Sequence, residues 1–191
     1  MIQQAQMKEQ EQLLKGRLSI IQTAIQQLGK DGLPMKYNVT LKEISSRYVA
    51  SLRKIIPTYN QEGLLWNQLM EETRGYRLQL AEPRMSLAVF HDEGYKEADV
   101  DVEIQISVIG PYQDTEHVRF KQVPEQLVTS TMIEGSYEQL GAANEVIAAW
   151  ISGNQYEING PMFNIYHVGP GTEPNPDLWV TELCYPVKKK S

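Results

Sequence analysis

The chain has 191 residues, 41% of them hydrophobic, which is enough to bury one substantial core. A net charge of −6 argues against a broad nucleic-acid-binding surface, and no apolar run approaches the roughly 20 residues of a membrane span. Cys184 is the only cysteine, so no disulfide can form within the chain, and a soluble protein of the reducing cytoplasm fits this composition.

Residues 1–29 are predicted to form a dimerisation helix, because residues 5–28 lack proline and are rich in helix-favouring residues. Apolar residues recur at spacings of seven, then four and three, which is typical of a coiled-coil seam. The seam consists of Met7, Leu14, Leu18, Ile21, Ile25 and Leu28. An amphipathic helix lying on its own domain would also fit, but so narrow a stripe favours a homodimer. Gly29 can end the helix, and residues 30–36 form a linker.

The next segment is predicted to contain a bent extended stretch, a helix and two strands. Tyr37–Ile55 alternates in the manner of a strand, with a bend or bulge at its two consecutive serines. A helix is expected at Asn60–Thr73, with Trp66 beside its apolar face. Strands follow at 85–92 and 99–108, and Gly110 and Pro111 then interrupt the chain.

The last part of the chain repeats this order. Val118–Met132 is predicted to be extended, and Tyr137–Ile151 to be a helix. A strand follows at 162–168, then a loop rich in glycine and proline, and a final strand at 177–187. Each half therefore reads as strand, helix, strand, strand.

The two halves share residues at a constant offset, which indicates an internal duplication. At an offset of 79, the pairs Val39/Val118, Lys42/Lys121, Val49/Val128, Ser51/Ser130 and Glu103/Glu182 are identical. The predicted fold class is α+β, with duplicated βαββ halves at 37–110 and 117–191. Because one half cannot cover both faces of its sheet, we expect the halves to pack about a pseudo-twofold cleft.

The final strand carries a carboxylate among apolar and aromatic residues. Glu182 shares a strand face with Val180 and Cys184, and no Lys or Arg stands at a neighbouring strand position to pair with it. An unpaired carboxylate is costly to bury, and aromatic faces add cation–π attraction of ~0.5–2 kcal/mol. The pattern therefore favours a receptor for a lipophilic cation. Glu103, the equivalent residue, lies on a more polar strand face and could as well be solvated.

The chain resembles the GyrI-like effector-binding domain over residues 35–188. The resemblance rests on VTLKEISSRYVASLR, DVEIQISV, GSYEQLGAANEVIAAWI, YEINGPMFNIYHVGP and VTELCYPVKK. It implies a duplicated βαββ fold with a cleft that binds amphipathic, often cationic, aromatic compounds. It also implies that Glu182 is the pocket carboxylate and that Glu103 is its symmetric partner. The ligand-binding aromatic candidates are Trp66, Tyr137 and Tyr166, followed by Phe163 and Tyr48, whereas Trp150 and Tyr185 are expected in the core.

Such domains occur at the C-terminus of MerR-type and AraC-type multidrug-responsive regulators and also as free-standing proteins. The predicted N-terminal helix is similar to the dimerisation helix of MerR-type regulators. In those regulators a winged helix-turn-helix precedes that helix, but none precedes it in this sequence. The chain is therefore expected to be either a fragment of such a regulator or a sensor with no DNA-binding part, and DNA contact is expected only through such a domain. The interpretation is a small-molecule sensor that forms a homodimer.

Other chemistry is weakly represented in the sequence. Its three histidines lie far apart in the chain and form no metal-ligand pattern, and no phosphate-binding loop, nucleophile elbow or cofactor motif is present. No catalytic residue is assigned. A free-standing hydrolase of the same family, with Glu182 and Tyr137 as acid and base, is the alternative, and a drug-sequestering or protein-binding module is a further one.

Overall fold

The structure, a computed structural model, describes residues 37–190. The predicted dimerisation helix, its seam and the linker lie outside the described residues. The strands are β1 (Thr40–Ile44), β2 (Arg47–Ile56), β3 (Gln79–Leu80), β4 (Ser86–Phe90), β5 (Val100–Ile109), β6 (Arg119–Val123), β7 (Gln126–Glu134), β8 (Tyr156–Ile158), β9 (Phe163–Val168) and β10 (Val180–Lys189). The helices are α1 (Glu62–Glu72) and α2 (Leu140–Gly153), each preceded by a 3-10 turn, at Tyr59–Gln61 and Tyr137–Gln139.

The strands form one antiparallel sheet in the order β1-β7-β10-β9-β4-β5-β2-β6, with β3 on β5 and β8 on β10. Strands β4 and β9 meet at its centre, and the same arrangement extends from them in both directions. This symmetry confirms the predicted α+β class and its two similar halves. One strand of each half is exchanged, because β1 pairs with β7 and β6 pairs with β2.

The exchanged strands belong to one continuous ribbon. Ile44 pairs with Gln126 and, across the bend in each chain segment, Arg47 pairs with Val123, so the antiparallel register is unbroken. The predicted bend between β1 and β2 is confirmed. A second bend, between β6 and β7, was not predicted. Because each end strand of the sheet joins a strand near its other end through two residues, the sheet curls on itself.

Both helices pack on one face of the sheet, here called the helix-side face. Leu65 and Leu69 of α1 are buried against the strands of the first half, as are Ile147 and Ile151 of α2 against those of the second. The periodicity of these apolar positions is what predicted the helices. The opposite face, here called the far face, has its own smaller core, to which Phe163 belongs.

The alternation predicted for the last strand is confirmed. Leu183 and Val187 contribute to the helix-side core, whereas Cys184 contributes to the far-face core. The strand begins at Val180 rather than at Asp177, because Pro176–Leu178 forms a 3-10 turn capped by a hydrogen bond to Asn175. The two short strands β3 and β8 were also not predicted.

Candidate functional site

A cavity of about 1860 Å³ lies between α1 and α2, above the central strands β4 and β9. Typical small-molecule pockets have volumes of roughly 300–1,000 Å³, so this one is large. Its aromatic lining residues are Tyr59, Trp66, Phe90, Tyr95, Tyr137, Tyr166, Trp179 and Tyr185. The duplication thus creates an aromatic cleft between the two halves, where the resemblance placed the ligand site.

One carboxylate in this cavity, that of Glu62, is held by aromatic side chains. Glu62 is the first residue of α1, and Trp66, one turn later, donates its indole N–H to Glu62 Oε1 at 2.8 Å. The hydroxyl of Tyr166 on β9 donates to Glu62 Oε2 at 2.8 Å. Burial raises the pKa of Glu62, and these two hydrogen bonds oppose the shift. Within residues 37–190, no cation lies within ion-pair distance of this carboxylate.

Two tyrosines stand beside Glu62 and remain protonated over the physiological range. Burial, together with the nearby charge of Glu62, raises the pKa of Tyr137 to about 12. The same causes, in the same order, raise the pKa of Tyr166 well above its usual value. Both phenols therefore act as neutral hydrogen-bonding groups and as aromatic walls rather than as anions.

Glu182 does not line the cavity. It lies on the far face, where Lys42 Nζ is 2.6 Å from its Oε1 and His167 Nε2 is 3.1 Å from its Oε2. Burial alone would raise the pKa of Glu182, but its interactions with Lys42, Ser130 and His167 lower it overall. The expectation that Glu182 lacks a basic partner is wrong, because the exchanged strand β1 brings Lys42 across from the other half.

Glu103 occupies the equivalent place in the first half and is also outside the cavity lining. Its Oε1 is 2.6 Å from Lys121 Nζ and accepts hydrogen bonds from Ser51 at 2.6 Å and from Gln105 at 2.7 Å. His91 Nε2 lies 2.9 Å from the other oxygen. Burial would raise the pKa of Glu103, but these four partners hold it well below its usual value.

The structure brings together three of the aromatic candidates and separates the others from them. Trp66, Tyr137 and Tyr166 line the cavity. Phe163 is 2% exposed in the far-face core, and Tyr48 stacks on Phe120 with ring centroids 6.5 Å apart. Neither of these two lines the cavity.

The two aromatics assigned to the core differ in position. Trp150 packs against the core of the second half, with its ring centroid 5.7 Å from that of Tyr156. Tyr185 also contacts that core, but it lines the cavity and donates a hydrogen bond to Asn144 Oδ1 at 2.7 Å.

Sequence reasoning did not identify Glu62 or Trp179 as cavity residues. An acidic residue at a helix N-terminus is ordinarily explained by the helix dipole, and Glu62 has that position. The available signal was Trp66 four residues later, since residues at that spacing meet on a helix face. For Trp179, no comparable signal existed, because it stands between a 3-10 turn and β10.

The family model for the GyrI-like small molecule binding domain matches residues 37–188, and the chain belongs to this family. Among solved structures, it is similar to the C-terminal domain of EcmrR, a MerR-type regulator, with 27% identity and a TM-score of 0.76. That match covers 81% of this chain and 99% of that domain. EcmrR in its complex with DNA matches with 26% identity and a TM-score of 0.78, over 100% of this chain and 72% of that chain.

A more distant match, SAV2435 bound to tetraphenylphosphonium, has 14% identity and a TM-score of 0.52, over 81% of this chain and 94% of that chain. It shows a likeness of fold alone. A comparison with curated proteins found no match. Within residues 37–190, neither helix has the length and apolar character needed to cross a membrane. In the same part of the chain, no group of three or more His, Cys, Asp or Glu side chains is placed to hold a metal ion.

Proposed function

We propose that this chain is the ligand-sensing part of a MerR-type transcription regulator, and that its cavity binds a lipophilic aromatic cation with Glu62 as the counter-charge. The observation that carries this proposal is the Glu62 carboxylate, which is surrounded by aromatic rings and has no cationic partner among the described residues. The proposal retains a cation bound by a pocket glutamate, but it assigns this role to Glu62 rather than to Glu182.

Glu62 lacks a positively charged partner among residues 37–190. Its two neighbours, Trp66 and Tyr166, are neutral donors, so they partly replace water but leave the negative charge uncompensated. A ligand cation would supply that compensation in a poorly hydrated place, where charge-assisted contacts contribute roughly 1.5–3 kcal/mol. The faces of Tyr137 and Trp179, whose centroids are 4.9 Å apart, would add cation–π attraction of ~0.5–2 kcal/mol.

The regulatory part of the proposal is supported by the likeness to EcmrR, which has been solved in a complex with DNA. In this proposal residues 1–29 form the dimerisation helix of a cytoplasmic homodimer, and DNA is contacted through a winged-helix domain. The proposed dimer contact consists of Leu14, Leu18, Ile21, Ile25 and Leu28.

Calorimetric titration with tetraphenylphosphonium, a lipophilic aromatic cation, tests the role of Glu62. Replacement Glu62→Gln keeps the side-chain shape and removes the charge, so we expect about a tenfold to hundredfold weaker binding. A neutral aromatic probe, 1-aminoanthracene, should lose much less affinity, because its binding depends on stacking and apolar burial.

The matched control is Glu182→Gln, which removes a charge from the far face, and it should change the affinity for the cation less than twofold. If Glu182→Gln weakened binding of the cation and Glu62→Gln did not, the counter-charge would be Glu182 instead. Turnover of an ester or epoxide that is lost in Glu62→Gln would favour the hydrolase alternative over sensing.

A further inference from the structure

The cavity contains two aromatic clusters, each built from three rings. In the first cluster, Tyr59 lies 5.7 Å from Phe90 and 5.7 Å from Tyr95, measured between ring centroids. In the second cluster, Tyr137 lies 6.3 Å from Tyr166 and 4.9 Å from Trp179. All six rings line the cavity, and within residues 37–190 no ring contact joins one cluster to the other.

Two ring pairs of the clusters are related by the duplication of the fold, and the third pair, Tyr95 and Trp179, is similar only in lying before a strand. Tyr59 and Tyr137 are the first residues of the 3-10 turns that precede α1 and α2. Phe90 and Tyr166 stand on the paired central strands β4 and β9. Tyr95 and Trp179 lie on the connections that lead into β5 and β10. A single cavity thus presents a surface of three aromatic rings from each half.

The size of the cavity allows both surfaces to be used at once. Its volume of about 1860 Å³ exceeds the roughly 300–1,000 Å³ that is typical of a pocket for one small molecule. Stacking on a tyrosine or tryptophan face does not depend on the identity of the ring, so each cluster can hold a flat aromatic molecule.

The electrostatics of the two clusters differ. The hydroxyl of Tyr166, in the second cluster, is bonded to Glu62, whereas α2 begins with Leu140 where α1 begins with Glu62. Near the first cluster, Asp92 Oδ1 is paired with Lys96 Nζ at 3.0 Å, and Tyr95 is 82% exposed. Charge near the first cluster is therefore compensated by a neighbour or screened by water.

We propose that the first cluster is a second ligand subsite, which takes a flat aromatic molecule by stacking and discriminates weakly by charge. The second cluster, with Glu62, would take the cation at the same time, and this part rests on the function proposed above. The two subsites would give one chain two binding steps of unequal affinity.

Equilibrium dialysis of the full chain against proflavine, a planar aromatic cation, tests this proposal by counting bound molecules. We expect about two molecules per chain at saturation. Replacement Tyr95→Ala, at an exposed position that leaves the core intact, should weaken the second step by about threefold to tenfold and spare the first. Replacement Glu62→Gln should weaken the first step and spare the second.

The two proposals fail in distinguishable ways. One proflavine per chain at saturation would overturn the second subsite, even if Glu62→Gln weakened that single step. Two molecules per chain with both steps unaffected by Tyr95→Ala would overturn the assignment to the first cluster. Binding that is unaffected by Glu62→Gln would overturn the proposed counter-charge. The second subsite would then still be decided by the number of proflavine molecules bound per chain.

Discussion

The two halves of the molecule have the same ion-paired residues on the far face, whereas the two helices that border the cavity begin with different residues. Lys42 and Lys121, Ser51 and Ser130, and Glu103 and Glu182 are identical at a single offset, and each glutamate is paired with the lysine of the other half. By contrast, α1 begins with Glu62 and α2 with Leu140. The repeated residues thus form ion pairs between strands, and the differing residues include Glu62, the proposed counter-charge.

The repeated ion pairs have a clear structural role, because β1 and β6 are exchanged between the halves. Lys42 on β1 reaches Glu182 on β10, and Lys121 on β6 reaches Glu103 on β5. Each pair therefore ties an exchanged strand to the half that receives it. These two ion pairs, Lys42–Glu182 and Lys121–Glu103, are here called the two locks. They differ in one hydrogen-bond donor, because Gln105 donates to Glu103 and the equivalent residue of the second half is Cys184.

The largest effect is expected from breaking these locks. Replacement Glu103→Gln removes a charge shared by four partners and should cost about 2–3 kcal/mol of unfolding free energy. Glu182→Gln should cost about 1–2 kcal/mol, because Glu182 lacks the equivalent of Gln105. Urea denaturation at pH 7 measures both, with the exposed Glu125→Gln as the control. An equal or larger loss at Glu182 would contradict the ranking of the two locks.

An intermediate effect is expected from acid. The pKa values of Glu103 and Glu182 are lowered in the folded protein, so the stability they contribute is present above their unfolded-state pKa, near 4.5. It is lost as the pH falls through the folded-state values. The unfolding free energy from urea denaturation should therefore fall between pH 5 and pH 3, by about 1 kcal/mol more in the wild type than in Glu103→Gln. Parallel curves for the two proteins would contradict this.

The fold could be predicted from the sequence, because its signals are local or repeated at one offset. Apolar periodicity identified α1 and α2, and alternation identified β10 with its two faces. The partner of Glu182 could not be predicted, because Lys42 reaches it through strand exchange rather than through sequence proximity. That non-local pairing converts an apparently uncompensated carboxylate into a structural ion pair, and it removed the reason for placing the ligand there.

Three aromatic residues of the cavity were predicted, but its carboxylate, Glu62, was not. Trp66, Tyr137 and Tyr166 were proposed as lining residues from the resemblance, and they do line the cavity. Glu62 became evident only when β9 placed the hydroxyl of Tyr166 beside it. A helix N-terminus offers an acidic residue a sufficient local explanation, so the sequence alone gave no reason to look for a second role.

The smallest effect is expected at Glu62, and it should have the opposite sign. Burial raises the pKa of this carboxyl in the folded protein, so its stabilising contribution is present below the unfolded-state pKa and is lost as the pH rises through the folded-state value. Above the unfolded-state pKa this carboxyl should therefore oppose folding. Glu62→Gln should raise the unfolding free energy by about 0.5–1 kcal/mol at pH 7, and by less at pH 4.

A higher unfolding free energy together with weaker cation binding in Glu62→Gln would distinguish Glu62 from the ion-paired Glu103 and Glu182. A carboxylate that destabilises the free protein and strengthens ligand binding has a binding role. Neutralising a structural carboxylate would instead lower the unfolding free energy of the protein. Urea denaturation of Glu62→Gln at both pH values, beside the cation titration, makes the comparison in one variant. A loss of stability at pH 7 equal to that of Glu182→Gln would make Glu62 a third structural carboxylate and withdraw its role as counter-charge.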